Sequence, residues 1–300
     1  MDFSMYTCAK FIFILYNIIL LCSISKCDFE NARKISKEYR TGVYPRSLIQ
    51  RFSVPDFKVS WNIEYEEYDP ASYTDPKLNG KPYADPEIGM SNFTPKWNNI
   101  DGNINRISYT SQYEIMNNVP RNPIGRTGLR GRGVLGRWGP NHAADCIVTR
   151  WKKMDNSSYR NEKYTLINMS ILQFVAIKRS DTGEWALPGG MVDPGETFTA
   201  AAFREFVEES LNYLKISKNL FSADNQIYSG YIDSPRNTDN SWIESTAFNF
   251  HDEAGFTMEA LQLQAGDDAA GVKWMDVTPE LNLYPAHKDF VNAVLSLRLN

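Results

Sequence analysis

Residues 188–210 read PGGMVDPGETFTAAAFREFVEES, a glycine-bearing turn that runs without a linker into a helix-forming segment. At 3.6 residues per turn, Glu205, Glu208 and Glu209 share one face, and Phe203, Phe206, Val207 and Leu211 turn much of the remainder toward a core. Like charges at three- and four-residue spacing repel. The segment therefore needs an apolar cover on one side and a positive charge on the other. Three neighbouring carboxylates suit a hard divalent cation such as Mg2+ or Mn2+, which takes oxygen ligands and keeps sites for water or phosphate. The alternative is a solvated acidic helix face.

The segments around this helix set the fold class. CIVTRW, ILQFVAIKR, GEWALPGG, DNQIYSGYID, STAFNFHD and GVKWMDVT read as strands, with a helix from about Thr197 to Leu214 among them and a last helix HKDFVNAVLSLRL. That order is mixed α+β and predicts a mixed sheet with helices on its faces, not a doubly wound parallel sheet. Upstream, residues 28–60 are polar, broken by Pro45 and Pro55, and read as a lead-in arm without a core. Residues 61–117 alternate aromatics with Pro, Asp and Asn and predict short strands and ordered loops. The expected division is a leader at 1–27, an N-terminal extension or small domain at 28–120, and a catalytic domain at 121–300.

Between these parts lies RNPIGRTGLRGRGVLGRWGPNHAAD, residues 121–145, where Gly131, Gly133 and Gly136 satisfy GxGxxG. A dinucleotide fingerprint follows an apolar strand and opens a helix; this one follows polar residues and meets Gly139-Pro140, so it reads as a decoy. Arg126, Arg130, Arg132 and Arg137 either pair with acidic neighbours or meet a ligand phosphate.

Composition narrows the partners. A net charge of -4 gives no global attraction to nucleic acid, so an anionic ligand must be held by local groups. Residues 11–25, FIFILYNIILLCSIS, are uncharged and flanked by Lys10 and Lys26, and resemble a signal-peptide core. They are short of the roughly 20 residues that span a bilayer. The expectation is a signal peptide and a secretory or extracellular protein, with a membrane anchor as the alternative; a mitochondrial presequence fits less well because no Arg precedes Lys26. The sequons at Asn92, Asn156 and Asn168 are compatible with that route. Three of the four cysteines lie in or beside the leader, so no disulfide framework or CxxC metal site can be built.

Gly190, five residues, Glu196, seven residues, then Arg204-Glu205-Phe206-Val207-Glu208-Glu209 resembles the Nudix box, G-x5-E-x7-R-E-U-x-E-E-x-G-U, with Leu211 and Asn212 departing from its last two positions. With GRTGL, GRGVLGRWGPNHAAD, VTRW, LQFVAIKR, SPRNTDNSW, HDE, AGDDA, WNIEYEEYDP and SNFTPK, the chain is similar to the ADP-ribose pyrophosphatase branch of the Nudix hydrolases over about residues 40–295. A relative of that branch forms an ADP-ribose-sensing channel domain. The resemblance implies a Nudix fold, an α/β/α sandwich preceded by a smaller strand- and loop-rich domain. It also implies metal-dependent hydrolysis of ADP-ribose to AMP and ribose 5-phosphate; the alternatives are another nucleoside diphosphate derivative as substrate, or a non-catalytic ADP-ribose-binding module.

By the same resemblance, Glu205, Glu208 and Glu209 ligate Mg2+ or Mn2+ together with the main-chain carbonyl of Gly190. Arg204 orients one carboxylate, and Gly189 and Glu196 are structural. The general base is a box glutamate, Glu253, Asp267 or Asp268. Arg236, Asp239 and Asn240, with Asp267 and Asp268 and the aromatics around Trp242, are the candidate substrate contacts, and His142 and His287 are structural or ribose contacts. The expected partner is a small molecule, with no nucleic acid and no protein partner required.

Overall fold

A computed structural model describes residue 29 and residues 33–152, 171–211, 226–253, 263–266, 269–278 and 280–299. The N-terminal part is built from short pieces: β1 (Ser72–Thr74), β2 (Ile100–Asp101), β3 (Ile104–Asn105), β4 (Ile115–Met116) and β5 (Val119–Pro120), with 3-10 turns between them. Next come β6 (Arg130–Gly133) and β7 (Gly139–Trp151), then β8 (Leu172–Arg179), β9 (Trp185–Ala186) and β10 (Gly189–Met191). Helix α1 (Phe198–Leu211) is followed by β11 (Gln226–Ile232), β12 (Ser241–Asp252), β13 (Ala269–Asp276) and helix α2 (Pro285–Leu299).

One mixed sheet carries the body in the order β11-β12-β7-β8-β13, with β10 also pairing with β7 and β9 with β8. Only β12 and β7 run parallel; the other pairs are antiparallel. Side chains alternate across the sheet. On β7, Ala144, Cys146 and Val148 pack with Ala201, Ala202, Phe206 and Leu211 of α1. Ile147, with Phe174 and Ala176 of β8, packs with Phe290, Val291 and Val294 of α2. Both faces are covered, which makes the mixed sheet with helices on its faces that the segment order predicted and the α/β/α sandwich that the resemblance implied.

β7 begins five residues before the apolar pattern that marks it. Its polar start, Gly139 to Ala143, pairs in register with Ser241 to Ser245. Asn141 Nδ2 binds Arg137 O, Gly139 O and Ser241 Oγ at 2.8, 3.1 and 3.0 Å, so the polar residues are satisfied inside the sheet.

The GxGxxG glycines serve packing. A Cβ on Gly131 would overlap Tyr73 O, one on Gly133 the Tyr44 ring, and one on Gly136 Tyr83 O. Gly131 and Gly133 also have positive φ, +88 and +58 degrees. β6 pairs in parallel with β1, joining the two parts of the chain. The arginines in this stretch are engaged by protein. Arg126 donates to the carbonyls of Lys58, Ser60 and Ile63, Arg130 pairs with Asp69, Arg132 with Glu87, and Arg137 with Asp85.

The lead-in arm is corrected by the structure. Tyr44 and Val54 are buried in the folded body, and so is Arg51. Arg51 donates to the carbonyls of Thr127, Pro235 and Asn237 at 2.9, 2.6 and 3.0 Å, and Tyr44 Oη to Arg236 O at 2.6 Å. A second seam forms at Glu244 of β12, which accepts from Ser108 Oγ, Tyr109 N and Trp242 Nε1.

Candidate functional site

Helix α1 starts at a built cap. Thr197 Oγ1 accepts from Ala200 N at 3.3 Å, and Glu196 Oε2 accepts from Asp193 N at 3.1 Å, which ties the turn before the helix. Gly195 takes the left-handed conformation, φ +81 degrees, and its N–H donates to Asn103 O at 2.9 Å, so the β2–β3 hairpin rests on this turn. At the other end, Leu211 is buried with Phe206 and Phe248. Gln264 N donates to Ser210 O and Gly266 N to Glu209 O, at 2.8 and 3.2 Å. A crossing segment therefore satisfies the last carbonyls in place of a glycine cap.

Arg204 is the hub of the acidic face. Its Nε and Nη2 reach the two Glu196 oxygens at 3.1 and 3.0 Å, a bidentate pair. Its Nη1 reaches Glu205 Oε1 at 2.6 Å and Glu208 Oε2 at 3.3 Å, and Nη2 also donates to Met191 O at 3.0 Å. These partners raise the Arg204 pKa, the Glu196 hydrogen bond most of all. Burial alone would raise Glu196, but the Arg204 hydrogen bond, the Asp193 amide and the Arg204 charge outweigh it and hold it below its ordinary value. Replacing Arg204 by Lys keeps the charge and loses the planar fork. The expected result is a fall in kcat of roughly tenfold or more, with KM little changed; steady-state kinetics on the purified variant check it.

Where the sequence suggested a glycine turn, the structure places strand β10, which meets the helix face directly. Gly189 N donates to Glu209 Oε2 at 2.9 Å. A Cβ on Gly190 would overlap the Glu205 carboxylate, so only glycine lets the backbone approach the carboxylates this closely. Glu209 is pushed up to about 8, chiefly by burial, with the Gly189 N–H opposing and the Glu205 charge adding. Burial also raises Glu205, against the opposing hydrogen bond and charge of Arg204.

Two part-buried carboxylates that resist ionisation, packed against a glycine backbone, are a donor set that fits a divalent cation. Among the described residues no three acidic, His or Cys side chains already converge as a closed cluster. Arg204 and the Gly189 N–H hold their oxygens instead.

A cavity of about 700 Å3 opens along the turn before α1. Met191 to Phe198 form one wall, the β2–β3 hairpin another, and Arg137, His142 and Arg236 contribute polar groups. Its size is in the range that holds a nucleotide-like ligand. Glu205, Glu208 and Glu209 are not among its lining residues. His142 is 8% exposed; burial, opposed by the Ile107 and Asn105 carbonyls, pushes it down to about 4, so it is neutral. Burial also lowers the Arg236 pKa, and Arg236 Nε reaches Ser234 Oγ at 3.5 Å.

The candidate substrate contacts therefore separate. Arg236 stands on the cavity wall. Asp239 does not: it is buried, accepts from Tyr68 Oη at 2.6 Å and from Thr127 N and Oγ1 at 2.7 and 2.8 Å, and serves the seam between the two parts. Asn240 bridges Gly131 N and Pro120 O. Trp242 is fully buried, with Nε1 on Glu244. Asp267 and Asp268 lie outside the described residues. Glu253 is exposed at the end of β12, 3.1 Å from His251 Nε2. Sequence reasoning missed Asp145, which packs against Gly189, and the β2–β3 hairpin, since both come from chain segments distant from the turn.

The sequence matches the NUDIX domain over residues 164–294 and the NUDT9-like, N-terminal domain over residues 54–139. It is 51% identical over 272 residues to the mitochondrial ADP-ribose pyrophosphatase of Rattus norvegicus, covering 86% of this chain and 77% of that protein. It is 41% identical over 275 residues to the transient receptor potential cation channel subfamily M member-like 2 of Nematostella vectensis, covering 86% of this chain and 17% of the channel. The rat relative is a mitochondrial enzyme, which corrects the secretory or extracellular expectation and the signal peptide with it; the mitochondrial alternative is the one that agrees. Residues 1–28 lie outside the described residues, and no described helix is long and apolar enough to cross a membrane.

Proposed function

The chain belongs to the NUDIX family, and on that premise we propose that it hydrolyses the diphosphate linkage of ADP-ribose to AMP and ribose 5-phosphate with the help of Mg2+ or Mn2+. The observation that carries this reading is the 51% identity, over 86% of the chain, to an ADP-ribose pyrophosphatase. The intact Arg204, Glu205, Glu208 and Glu209 set, with a ligand-sized cavity beside its turn, supports turnover over binding alone.

In this reading Glu205, Glu208, Glu209 and the Gly190 carbonyl hold the cation. When bound, a divalent ion neutralises diphosphate oxygens and lowers the pKa of a bound water. The chain's own groups do the rest. Arg204 keeps Glu205 and Glu208 aimed along one face, and Glu196 anchors Arg204. The Gly189 N–H fixes one Glu209 oxygen, and the other would ligate the cation. Arg236, on the cavity wall, supplies a guanidinium whose burial favours an anionic partner, the role of a phosphate contact.

Incubation of the purified protein with ADP-ribose and Mg2+ should release AMP, and excess EDTA should reduce the rate to background. A wild-type protein that yields no AMP refutes the assignment. Faster turnover of another nucleoside diphosphate derivative in a substrate panel would replace the substrate.

A further inference from the structure

Gly189 and Gly190 lie in β10, paired with Asp145 and Ala144 of β7, and the segment that leads into them is fixed from several sides. Ala186 of β9 pairs with Ile177, Pro188 O accepts from Cys146 N at 2.8 Å, and Gly189 N donates to Glu209. Leu187 differs. It is 2% exposed, and its N–H goes to a side chain 100 residues away, His287 Nδ1, at 3.0 Å. A buried backbone N–H without a partner is costly, so that acceptor is a structural requirement of the segment.

The acceptor role sets the His287 tautomer: Nδ1 offers a lone pair, so the proton sits on Nε2. That nitrogen faces Asp145 Oδ1 at 3.5 Å. Asp145 is itself held, since Ser245 Oγ donates to its Oδ2. Its Oδ1 lies against Gly189, where a Cβ would overlap it. The His287 ring stacks on Phe290 and meets Tyr284 edge-on, with centroids 6.1 and 5.3 Å away, and its side chain is only 12% exposed. A chain of contacts thus runs from β12 through β7 and the start of α2 into β10.

We propose that His287 is a positioning residue for the diphosphate-cleaving site: its Nδ1 lone pair holds the Leu187 amide, and with it the entry of the chain into β10, whose Gly189 and Gly190 lie against the acidic helix. The inference rests on the metal-dependent reading above. Partners behind a metal site of this kind change metal affinity or activity about 10- to 100-fold when removed.

Two variants separate positioning from packing. His287→Phe keeps an apolar ring among Phe290 and Tyr284 and removes the acceptor. His287→Asn loses the ring and can place an amide oxygen where Nδ1 was. Mn2+ affinity of the substrate-free protein, read as free Mn2+ by electron paramagnetic resonance, should fall roughly 10- to 100-fold in the Phe variant and return to within about threefold of wild type in the Asn variant. The kcat should follow the same order, with KM for ADP-ribose changed by less than about twofold. A Phe variant with wild-type Mn2+ affinity, or Phe and Asn variants impaired alike, overturns the proposal.

The wild-type protein supplies a measurement that needs no variant. Ring 15N shifts should show Nδ1 unprotonated and Nε2 protonated, and a proton on Nδ1 would overturn the assignment. Neither the tautomer nor the Mn2+ titration uses ADP-ribose, so an error in the substrate appears separately, as a wild-type protein that binds Mn2+ and releases no AMP.

Discussion

Replacing Glu208 and Glu209 together by Gln should abolish turnover, with kcat reduced at least ~10^3-fold, or roughly 4 kcal/mol of transition-state stabilisation. The substitution removes two groups that can carry negative charge and almost no volume. An amide oxygen at position 209 can still accept the Gly189 N–H that Glu209 accepts now, and one at position 208 can still meet Arg204. The local fold therefore loses little. Because burial and the neighbouring Glu205 already push the Glu209 carboxyl up to about 8, removing charge relieves the metal-free protein, and its melting temperature should hold or rise. Release of AMP from ADP-ribose and a thermal melt on the same preparation check both halves. A double variant that turns over at the wild-type rate would remove these residues from the metal assignment, and one that melts many degrees lower would show that the loss is structural.

The second large effect lies away from the chemistry. Asp85 is 4% exposed and receives Arg106 in a bidentate pair at 2.8 and 2.9 Å, Arg137 at 3.0 Å and the Trp138 amide at 2.9 Å. Asp85→Asn leaves two guanidinium groups facing a neutral amide. Breaking a buried ion pair from one side costs about 3–5 kcal/mol, which at about 2–4 °C per kcal/mol for a chain of this size lowers the melting temperature by roughly 6–20 °C.

The pH dependence has a definite sign. Burial alone would raise the Asp85 pKa, but the hydrogen bonds and charge of Arg106, the Trp138 amide and Arg137 outweigh it and hold the carboxyl below its ordinary 3.8. Its stabilisation is therefore complete above that value and is lost as pH falls through the folded pKa. Denaturant titrations should show a constant gap between wild type and variant at neutral pH, narrowing below about pH 4. A gap that persists unchanged at pH 3 would place the effect in packing.

What could be read from sequence was what repeats locally. Strand alternation gave β8 and β12, and the helical spacing of Phe203, Phe206 and the three glutamates gave α1. The turn signal Asp193-Pro194-Gly195 gave the approach to the helix, whereas Gly189-Gly190, read as a turn, lies in strand β10. The seam was illegible, because Arg51, Asp239 and Glu244 look like solvated charges until their partners, 76 to 186 residues away for Arg51, are brought in by the fold. Asp239 was read as a ligand contact because its loop is polar; the side chains of that loop instead satisfy the Gly131 and Pro120 carbonyls and the Thr127 amide from other segments. His287 was read as structural or a ribose contact, but its partner could not be named, because that partner is a backbone amide, which no side-chain pattern marks.

The burial of Tyr44 and Arg51 against the 235–237 backbone has a consequence for anyone shortening the protein. A piece trimmed to the residues that carry the recognisable signature would retain every glutamate of the acidic helix and lose the props under the loop that presents Arg236. The smallest autonomous unit of this molecule is therefore expected to be larger than its signature, reaching at least to Arg51, whose guanidinium finds its carbonyls at residues 127, 235 and 237.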